Sequence, residues 1–259
     1  MENVIFESAG NQLCCLTEIR TDIGGRAAQQ DFAFARVEHA QAFAVLCDGM
    51  GGTSGGEEAS RIAVSTMRLL YADYLDRAED ESIPSFLYRA MACADKDVAE
   101  ELGGKSGTTM VAVSLCENRL HWLSVGDSRL YICRAGELVQ ATRDHNYFLQ
   151  LDEMLDNSEI SREIYEAETC RGEALISYIG MGGITLFDLT KTELLAQPGD
   201  LLLLATDGLF KVLGPELIKE ILAADAVLPA KADSLMEGVN AHAERDMQDN
   251  TTFILMQVL

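Results

Sequence analysis

Four aspartates in this chain stand at the ends of short apolar runs that have the length of buried strands. Three of them follow their runs and the fourth precedes its run: Asp48, Asp127, Asp207 and Asp249. Strand ends can meet at one edge of a sheet, and carboxylates gathered there would repel each other unless cations neutralised them. A single aspartate of this kind often does no more than close a turn, so it is the recurrence of the pattern that predicts a metal site.

The residue types around these aspartates predict which metal binds and what it does. Oxygen ligands suit Mg²⁺ or Mn²⁺, whereas the scattered histidines and cysteines offer no spacing suited to zinc. Two such ions about 3.5 to 4 Å apart can acidify a bridging water and clamp both oxygens of an in-line displacement on phosphorus. An ion pair of this kind would allow hydrolysis without a protein nucleophile.

The run that ends at Asp48 is followed by glycines, which let the backbone turn sharply and approach a ligand closely. Ser54 and Glu57 then fit a helix-capping box, so we predict a strand, an acidic turn and a helix in succession. Residues 49–56 contain neither of the glycine patterns of phosphate-binding loops, which argues against nucleotide binding there.

The composition excludes several classes of partner. With 42 acidic and 20 basic residues among 259, the net charge is −22, so the surface should repel nucleic acid and anionic membranes. The apolar runs are too short to cross a bilayer, and the chain does not open with a secretory signal. The seven cysteines include no Cys-x-x-Cys pair, which suits a reducing compartment. We expect a cytoplasmic monomer that binds neither nucleic acid nor membranes.

The order of the predicted elements favours an α+β fold. Strands come in groups separated by helix pairs, whereas a doubly wound parallel sheet would alternate single strands and helices. The predicted fold is two stacked antiparallel β-sheets flanked by pairs of antiparallel helices, an α-β-β-α sandwich. The strands are predicted at residues 13–20, 31–37, 41–46, 108–115, 119–125, 129–133, 138–141, 185–195, 200–206 and 251–258, and the helices at residues 56–78, 84–102, 147–155, 161–166, 215–223 and 229–242.

Three regions carry more specific predictions. The first helix should bury a face made of Ala59, Ile62, Ala63, Thr66, Leu69 and Leu70. The strands between residues 108 and 141 should form one antiparallel meander. Residues 144–183 are polar, acidic and irregular, and a connection of this length is typical of a flap or binding loop. We therefore expect a single domain over residues 1–259 with a flap-like insertion around residues 144–183.

Four motifs, in this order and at this spacing, resemble those of one known family. The motifs are Arg26-Ala27-Ala28-Gln29-Gln30-Asp31, Asp48-Gly49-Met50-Gly51-Gly52, Gly126-Asp127-Ser128-Arg129, and Asp207-Gly208 with Asp249-Asn250. Together they resemble the PPM-type (type 2C) metal-dependent protein serine/threonine phosphatases in their compact bacterial form. The resemblance covers essentially the whole chain.

The resemblance implies a metal-binding role for five residues. Asp48 would bridge two Mg²⁺ or Mn²⁺ ions, and the backbone carbonyl of Gly49 would bind one of them. Asp207 and Asp249 would complete the shell of the other ion. Asp127 would help to hold a third, weaker ion.

The resemblance also implies two catalytic residues, and the chain departs from the family pattern beside them. Arg26 would grip the substrate phosphate, and Asp31 would act without touching the metal directly. Gln30 stands where an acidic residue is common, which weakens the expected hold on the second ion. Met50 stands where eukaryotic relatives often carry a histidine, which leaves the general acid unassigned.

The implied substrates are proteins phosphorylated on serine or threonine, and the implied partner is an opposing bacterial Ser/Thr protein kinase. The departures leave one alternative open, a pseudophosphatase that binds phosphoproteins or a kinase without turnover. His145 is a candidate acid because histidine titrates near neutral pH, although its place after a strand indicates a structural turn. Arg129 could bind phosphate, but an arginine in a hairpin more often forms an ion pair.

Overall fold

The structure is a computed structural model that describes residues 3–9, 14–38, 40–51, 55–76 and 81–259. Within these ranges the chain forms thirteen strands and six α-helices. The strands are β1 (Val4–Ala9), β2 (Cys15–Asp22), β3 (Asp31–Glu38), β4 (Gln41–Met50), β5 (Gly107–Thr108), β6 (Met110–Cys116), β7 (Arg119–Val125), β8 (Arg129–Arg134), β9 (Glu137–Gln140), β10 (Asp188–Leu189), β11 (Leu194–Leu195), β12 (Leu201–Ala205) and β13 (Thr251–Val258). The helices are α1 (Gly55–Asp76), α2 (Ile83–Leu102), α3 (Tyr147–Asp156), α4 (Arg162–Glu168), α5 (Asp207–Ala223) and α6 (Leu228–His242).

The strands form two sheets. The first has the order β1-β3-β4-β6-β7-β10, with β5 on β4 and β11 on β7, and the second has the order β2-β13-β12-β8-β9. Among the described strands every pairing is antiparallel except that of β1 with β3. The predicted pair of antiparallel sheets is confirmed apart from this parallel edge. Strand β1 was not predicted, because it is held by a partner far away in the sequence.

Three apolar layers hold sheets and helices together, as the predicted α-β-β-α sandwich requires. Successive side chains of a strand point to opposite faces, so one face of β4 packs on α1 and α2 and the other packs on the second sheet. A third layer fills the space between the second sheet and the pair α5 and α6. The first sheet lines the middle layer with many small residues, notably Ala33, Ala35, Ala42 and Ala44.

Helix α1 buries one face against the first sheet, as predicted, but Leu69 does not belong to that face. Ala59, Ile62 and Ala63 are buried, whereas Leu69 is 70% exposed. The buried face continues instead through Val64, Met67, Tyr71 and Tyr74. Ser54, the first residue of the predicted capping box, lies outside the described residues.

The predicted meander over residues 108–141 is wrong at its centre. Strands β6 and β7 pair in the first sheet, whereas β8 and β9 pair in the second. The chain changes sheets at Gly126, where φ is +94° and a Cβ would lie 2.7 Å from Thr109 Cγ2. Glycine is required there because other residues rarely adopt this φ and the space is filled. The two hairpins look continuous in sequence, since nothing local shows which sheet each strand joins.

Residues 144–183 contain α3 and α4 in otherwise irregular chain, which agrees with the two short helices predicted there. The end of the segment is anchored to α2 by the carboxylate of Asp95, which is buried. Asp95 accepts hydrogen bonds from the backbone N–H groups of Gly180, Gly182 and Gly183 at 2.7, 3.1 and 2.7 Å. This residue therefore fixes where the segment returns to the body of the protein.

Two predicted elements after this segment have different bounds. The strand predicted at residues 185–195 is reduced to β10 and β11, because between them the Thr190 hydroxyl accepts the Trp122 N–H at 2.8 Å and interrupts the ladder. Helix α5 begins at Asp207 rather than at residue 215, since two helical segments join across a kink at Gly214. No helix among the described residues combines the length and apolarity needed to cross a bilayer.

Candidate active site

Antiparallel strand pairing brings the predicted aspartates together in pairs. In the first sheet β3 starts where β4 ends, so Asp31 and Asp48 are directly opposite each other. In the second sheet Asp207 follows β12, and Asp249 precedes the antiparallel neighbour β13. The inverted order of the last motif is what antiparallel pairing requires, because the end of one strand lies beside the start of the next.

Two side chains join the sheets at this end. Asn250 accepts the backbone N–H of Gln30 at 2.7 Å, and the Thr206 hydroxyl donates to Asp31 Oδ2 at 3.1 Å. A Cβ on Gly208 would lie 2.1 Å from the carbonyl oxygen of Asn250, so only glycine lets α5 begin this close to β13. The aspartates of one sheet are thereby held against those of the other.

Asp127 reaches the same place from the point where the chain changes sheets. Thr109 accepts the backbone N–H of Asp48 at 3.0 Å, and its hydroxyl lies 2.7 Å from that of Ser128. Thr109 therefore connects the turn that carries Asp127 to the end of β4.

Arg26 is placed by a glycine turn that packs on the residues before β13. The backbone N–H of Gly25 donates to the Gln248 carbonyl at 2.9 Å, and a Cβ on Gly24 would lie 2.5 Å from the Asp249 carbonyl oxygen. Arg26 Nη2 in turn donates to Asp249 Oδ2 at 2.5 Å. The Arg26 side chain is more than half exposed, so it lies at the mouth of the site.

One cavity of about 460 Å³ is lined by all five predicted metal-binding residues and by Arg26. Asp31 lies beside Asp48 but is buried, at 1% exposure, and does not line the cavity. The complete lining is Arg26, Gln30, Asp48, Gly49, Met50, Gly51, Thr109, Asp127, Glu173, Leu175, Asp207, Lys211, Asp249 and Asn250. Residues from both sheets and from residues 144–183 thus surround the same space.

Gly49 has no room for a side chain. A Cβ there would lie 2.0 Å from the carbonyl oxygen of Gly56 and 2.8 Å from that of Gln30. The start of α1 therefore packs directly on the backbone after Asp48, and Gly49 lines the cavity with its main chain alone.

Folding raises the pKa of three carboxyl groups at the site. Burial and the neighbouring Asp31 carboxylate raise the pKa of Asp48 well above its usual range. Burial also raises the pKa of Asp31, against hydrogen bonds from threonine hydroxyls. Burial and the Asp207 carboxylate raise the pKa of Asp127 to about 7. In each case the surrounding protein groups do not fully offset the cost of burying the carboxylate and the repulsion from neighbouring carboxylates.

These donors fit a hard divalent cation. They are carboxylate oxygens and a backbone carbonyl, without nitrogen or sulfur, and buried Asp207 Oδ1 has no hydrogen-bond partner among the described residues. As the side chains stand, however, the described ranges contain no group of three or more His, Cys, Asp or Glu arranged to hold an ion. Arg26 pairs with Asp249 and Lys211 pairs with Asp207, so two of the four carboxylates are engaged by basic side chains.

The other candidates from the sequence lie outside the cavity lining. Arg129 forms the expected ion pair, donating to both Asp144 oxygens at 2.9 and 2.6 Å, and its guanidinium stacks 3.7 Å above the ring centre of Phe210. His145 is fully buried, where Nδ1 accepts the Gly126 N–H at 3.2 Å. Both residues stabilise the fold around the turn that carries Asp127.

Gln30 and Met50, the two departures from the family pattern, do line the cavity. Gln30 Nε2 donates to the Gly51 carbonyl at 3.3 Å, so the amide supports the glycine turn. An acidic side chain at this position could not donate that hydrogen bond. Lys211 and Glu173 were not predicted from the sequence, although Lys211 follows Asp207 by four residues, the spacing at which helical side chains meet.

The sequence matches a known family and known relatives. The family model for protein phosphatase 2C matches residues 22–247. The serine/threonine phosphatase stp of Listeria monocytogenes is 30% identical over 223 residues, which are 84% of each chain. The serine/threonine protein phosphatase PstP of Mycobacterium tuberculosis is also 30% identical over 223 residues, but this chain spans only 40% of its length.

Solved structures agree with the family match. The crystal structure of the M. tuberculosis phosphatase PstP/Ppp superimposes with a TM-score of 0.77 at 27% identity, covering 94% of this chain and 98% of that one. The PstP catalytic domain in complex with two manganese ions superimposes with a TM-score of 0.74 at 28% identity, covering 96% and 100%. Since the family model matches most of the sequence and the fold agrees, this chain belongs to the protein phosphatase 2C family.

Proposed function

We propose that this protein is a metal-dependent protein phosphatase that hydrolyses phosphoserine and phosphothreonine in proteins. The observation that carries the proposal is the convergence of Asp48, Asp127, Asp207 and Asp249 on one cavity with Arg26 at its mouth. Relatives named as serine/threonine phosphatases in Listeria and Mycobacterium support the same activity.

The metal-binding residues would be those that line the cavity with oxygen. Asp48 and the Gly49 carbonyl come from the first sheet, and Asp207 and Asp249 come from the second, so ions held by them would lie between the sheets. When bound, two Mg²⁺ or Mn²⁺ ions supply an acidified water and neutralise charge on the phosphoryl oxygens. The two manganese ions of the PstP structure support this number.

The protein's own groups would bind and orient the substrate. Arg26 carries a planar fork that can donate two parallel hydrogen bonds to phosphate oxygens, which a lysine could not match. Its partner Asp249 is one of the proposed metal ligands, so cation binding would release the guanidinium towards the substrate. Asp31, held by Thr206, would keep Asp48 in position across the strand pair.

We further propose that residues 144–183 form a flap that contributes to substrate choice. Glu173 and Leu175 of this segment line the cavity, and Asp95 fixes the end of the segment. We also propose that the enzyme acts as a monomer in the cytoplasm, opposing a Ser/Thr protein kinase. All seven cysteines lie in the described part of the chain and are free thiols, which supports a reducing compartment.

The test is turnover of a phosphothreonine peptide in Mn²⁺. Chelation should abolish turnover. Asp207→Asn should lower metal affinity by at least roughly 10- to 100-fold, because losses of that size follow when even a residue that only supports a metal ligand is removed. Asp225→Asn, a change of the same kind at an exposed position beyond α5, should leave turnover intact. Turnover that persists under chelation would contradict the metal assignment, and Mn²⁺ binding without turnover would indicate the pseudophosphatase instead.

A further inference from the structure

Lys211 is a basic side chain in an otherwise acidic cavity wall. Its Nζ lies 2.9 Å from Asp207 Oδ2 and 2.8 Å from Glu173 Oε2. Lys211 follows Asp207 by one turn of α5, so the two side chains meet on one helix face. The Lys211 side chain is 42% exposed and that of Asp207 is 17% exposed, so the ammonium closes the solvent side of this carboxylate.

The same ammonium acts on Asp127, which enters the cavity from the crossing between the sheets. Burial and the Asp207 carboxylate raise the pKa of Asp127, and the charge of Lys211 opposes that rise. Lys211 therefore lies where a positive charge serves two carboxylates from different parts of the fold. The family resemblance implies a third, weaker metal ion at Asp127.

We propose that the Lys211 ammonium takes the place of a third divalent cation beside Asp127 and Asp207, so that the site holds two Mn²⁺ or Mg²⁺ ions and no third. The inference rests on the proposed function, because it treats Asp207 as a ligand of one of the two remaining ions. In this proposal Lys211 determines how many metal ions the site binds.

The formal charges of the site agree with two ions. Five carboxylates line the cavity against two basic side chains, which leaves three negative charges, and buried Asp31 adds a fourth. Two divalent ions supply four positive charges, so the site is balanced before substrate binds. A third divalent ion would leave two uncompensated positive charges next to the ammonium, which Coulomb repulsion opposes at this distance.

A second lysine on the same helix provides a matched control. Lys219 also lies on α5 and pairs with Glu137 at 2.7 Å, but it does not line the cavity. Removing its charge changes the net charge of the protein by the same amount as removing that of Lys211. A difference between the two variants therefore reports on position and not on overall charge.

The experiment counts bound Mn²⁺ by equilibrium dialysis, with unbound Mn²⁺ read by electron paramagnetic resonance. Wild type should bind two ions, and Lys211→Met should bind a third, with affinity for it raised by about tenfold or more when the opposing charge is gone. Lys211→Arg and Lys219→Met should each keep two ions. Adding Asp127→Asn to Lys211→Met should remove the third ion again. Lys211→Gln is a second neutral variant in case Lys211→Met does not fold.

Each outcome either supports or contradicts the proposal that Lys211 excludes a third metal ion. If the neutral Lys211 variants bind two ions like wild type, the inference is wrong while the proposed function stands. A third ion in Lys211→Arg or Lys219→Met, or one that persists without Asp127, also overturns the inference. If wild type binds no Mn²⁺ at all, the proposed function and the inference fail together.

Discussion

Asp31 and Asp48 occupy the same register position of the β3 and β4 pair, and burial raises the pKa of both carboxyl groups. Like charges directly opposite each other on neighbouring strands destabilise a sheet. The protein nevertheless places them there, with Asp127, Asp207 and Asp249 nearby. The first sheet is thus less stable on its own than it would be with a neutral residue at either position.

Asp48→Asn should therefore stabilise the metal-free protein while abolishing activity. In chelator at pH 7 we expect a gain of about 1 kcal/mol in the free energy of unfolding, the size of a cross-strand pair effect. In saturating Mn²⁺ the order should reverse, because only wild type gains stability from the ions it binds. Urea unfolding under both conditions measures this. A variant less stable than wild type in chelator would show that the carboxylate is not under strain.

Gly49→Ala should disrupt the site through its backbone. Its new Cβ would overlap the carbonyl of Gly56, so we expect a loss of about 3 kcal/mol in stability, as for other overpacked positions, together with weaker Mn²⁺ binding. Gly136→Ala is the control, because nothing lies within 4 Å of its Cβ although φ is +80°. It should cost about 1 kcal/mol and leave Mn²⁺ affinity unchanged. Equal metal affinities for both variants would count against a tight approach at Gly49.

Asp95→Asn should loosen the end of the proposed flap. The amide cannot accept all three backbone N–H groups of residues 180–183, so we expect a loss of roughly 1.5 to 3 kcal/mol and faster hydrogen exchange there. Asp97→Asn on the same helix is the control. Its partner is the Thr66 hydroxyl at 2.7 Å, which can rotate to suit an amide, so the cost should be smaller. Unchanged exchange at residues 180–183 in Asp95→Asn would argue against the anchor.

Asp188 should give stability a dependence on acid pH. Burial acts to raise the pKa of its carboxyl, but the His145 ring, 3.5 Å away, and hydrogen bonds from the side chain and backbone of Arg143 outweigh burial and hold the pKa below the usual range. A group whose pKa is lowered by folding stabilises the protein above its unfolded value, about 3.9 for aspartate, and this contribution is lost as pH falls through the folded value. Asp188→Asn should thus cost about 1 to 3 kcal/mol at pH 7.

The difference between Asp188→Asn and wild type should shrink when urea unfolding is repeated below pH 4. Asp152→Asn, which removes an exposed partner of the Tyr165 hydroxyl, provides the comparison at both pH values and should show little change with pH. A cost for Asp188→Asn that stays constant down to pH 2 would contradict the role of the ionised form.

Most of the fold could be predicted from local patterns in the sequence. Strands that are buried on both faces read as continuous apolar runs, so β7 and β13 were predicted with their observed bounds. The four aspartates were found because strand ends are visible in sequence, and antiparallel pairing then brought them together. The helical face of α1 was predicted except at Leu69, since the spacing of apolar residues does not show how wide the buried face is.

Features that depend on partners far away in the sequence could not be predicted. The parallel edge strand β1 owes its existence to β3, and the change of sheet at Gly126 depends on where β8 finds β12. Lys211 was missed for the same reason, because its meaning comes from Glu173 and Asp127 rather than from its own neighbours. A pattern of single residues cannot show which opposite charges will meet.

The small residues between the sheets have an effect far from where they lie. Ala33, Ala35, Ala42 and Ala44 offer only methyl groups to the gap, so they set how closely the two halves of the sandwich approach. That approach in turn sets the separation of Asp48 from Asp207 and Asp249, which belong to opposite halves. A bulkier side chain at one of these four positions would push the two sheets apart. It would separate Asp48 from Asp207 and Asp249 without contacting any of them. The smallest side chains of the interior would thus determine the spacing of the proposed metal pair.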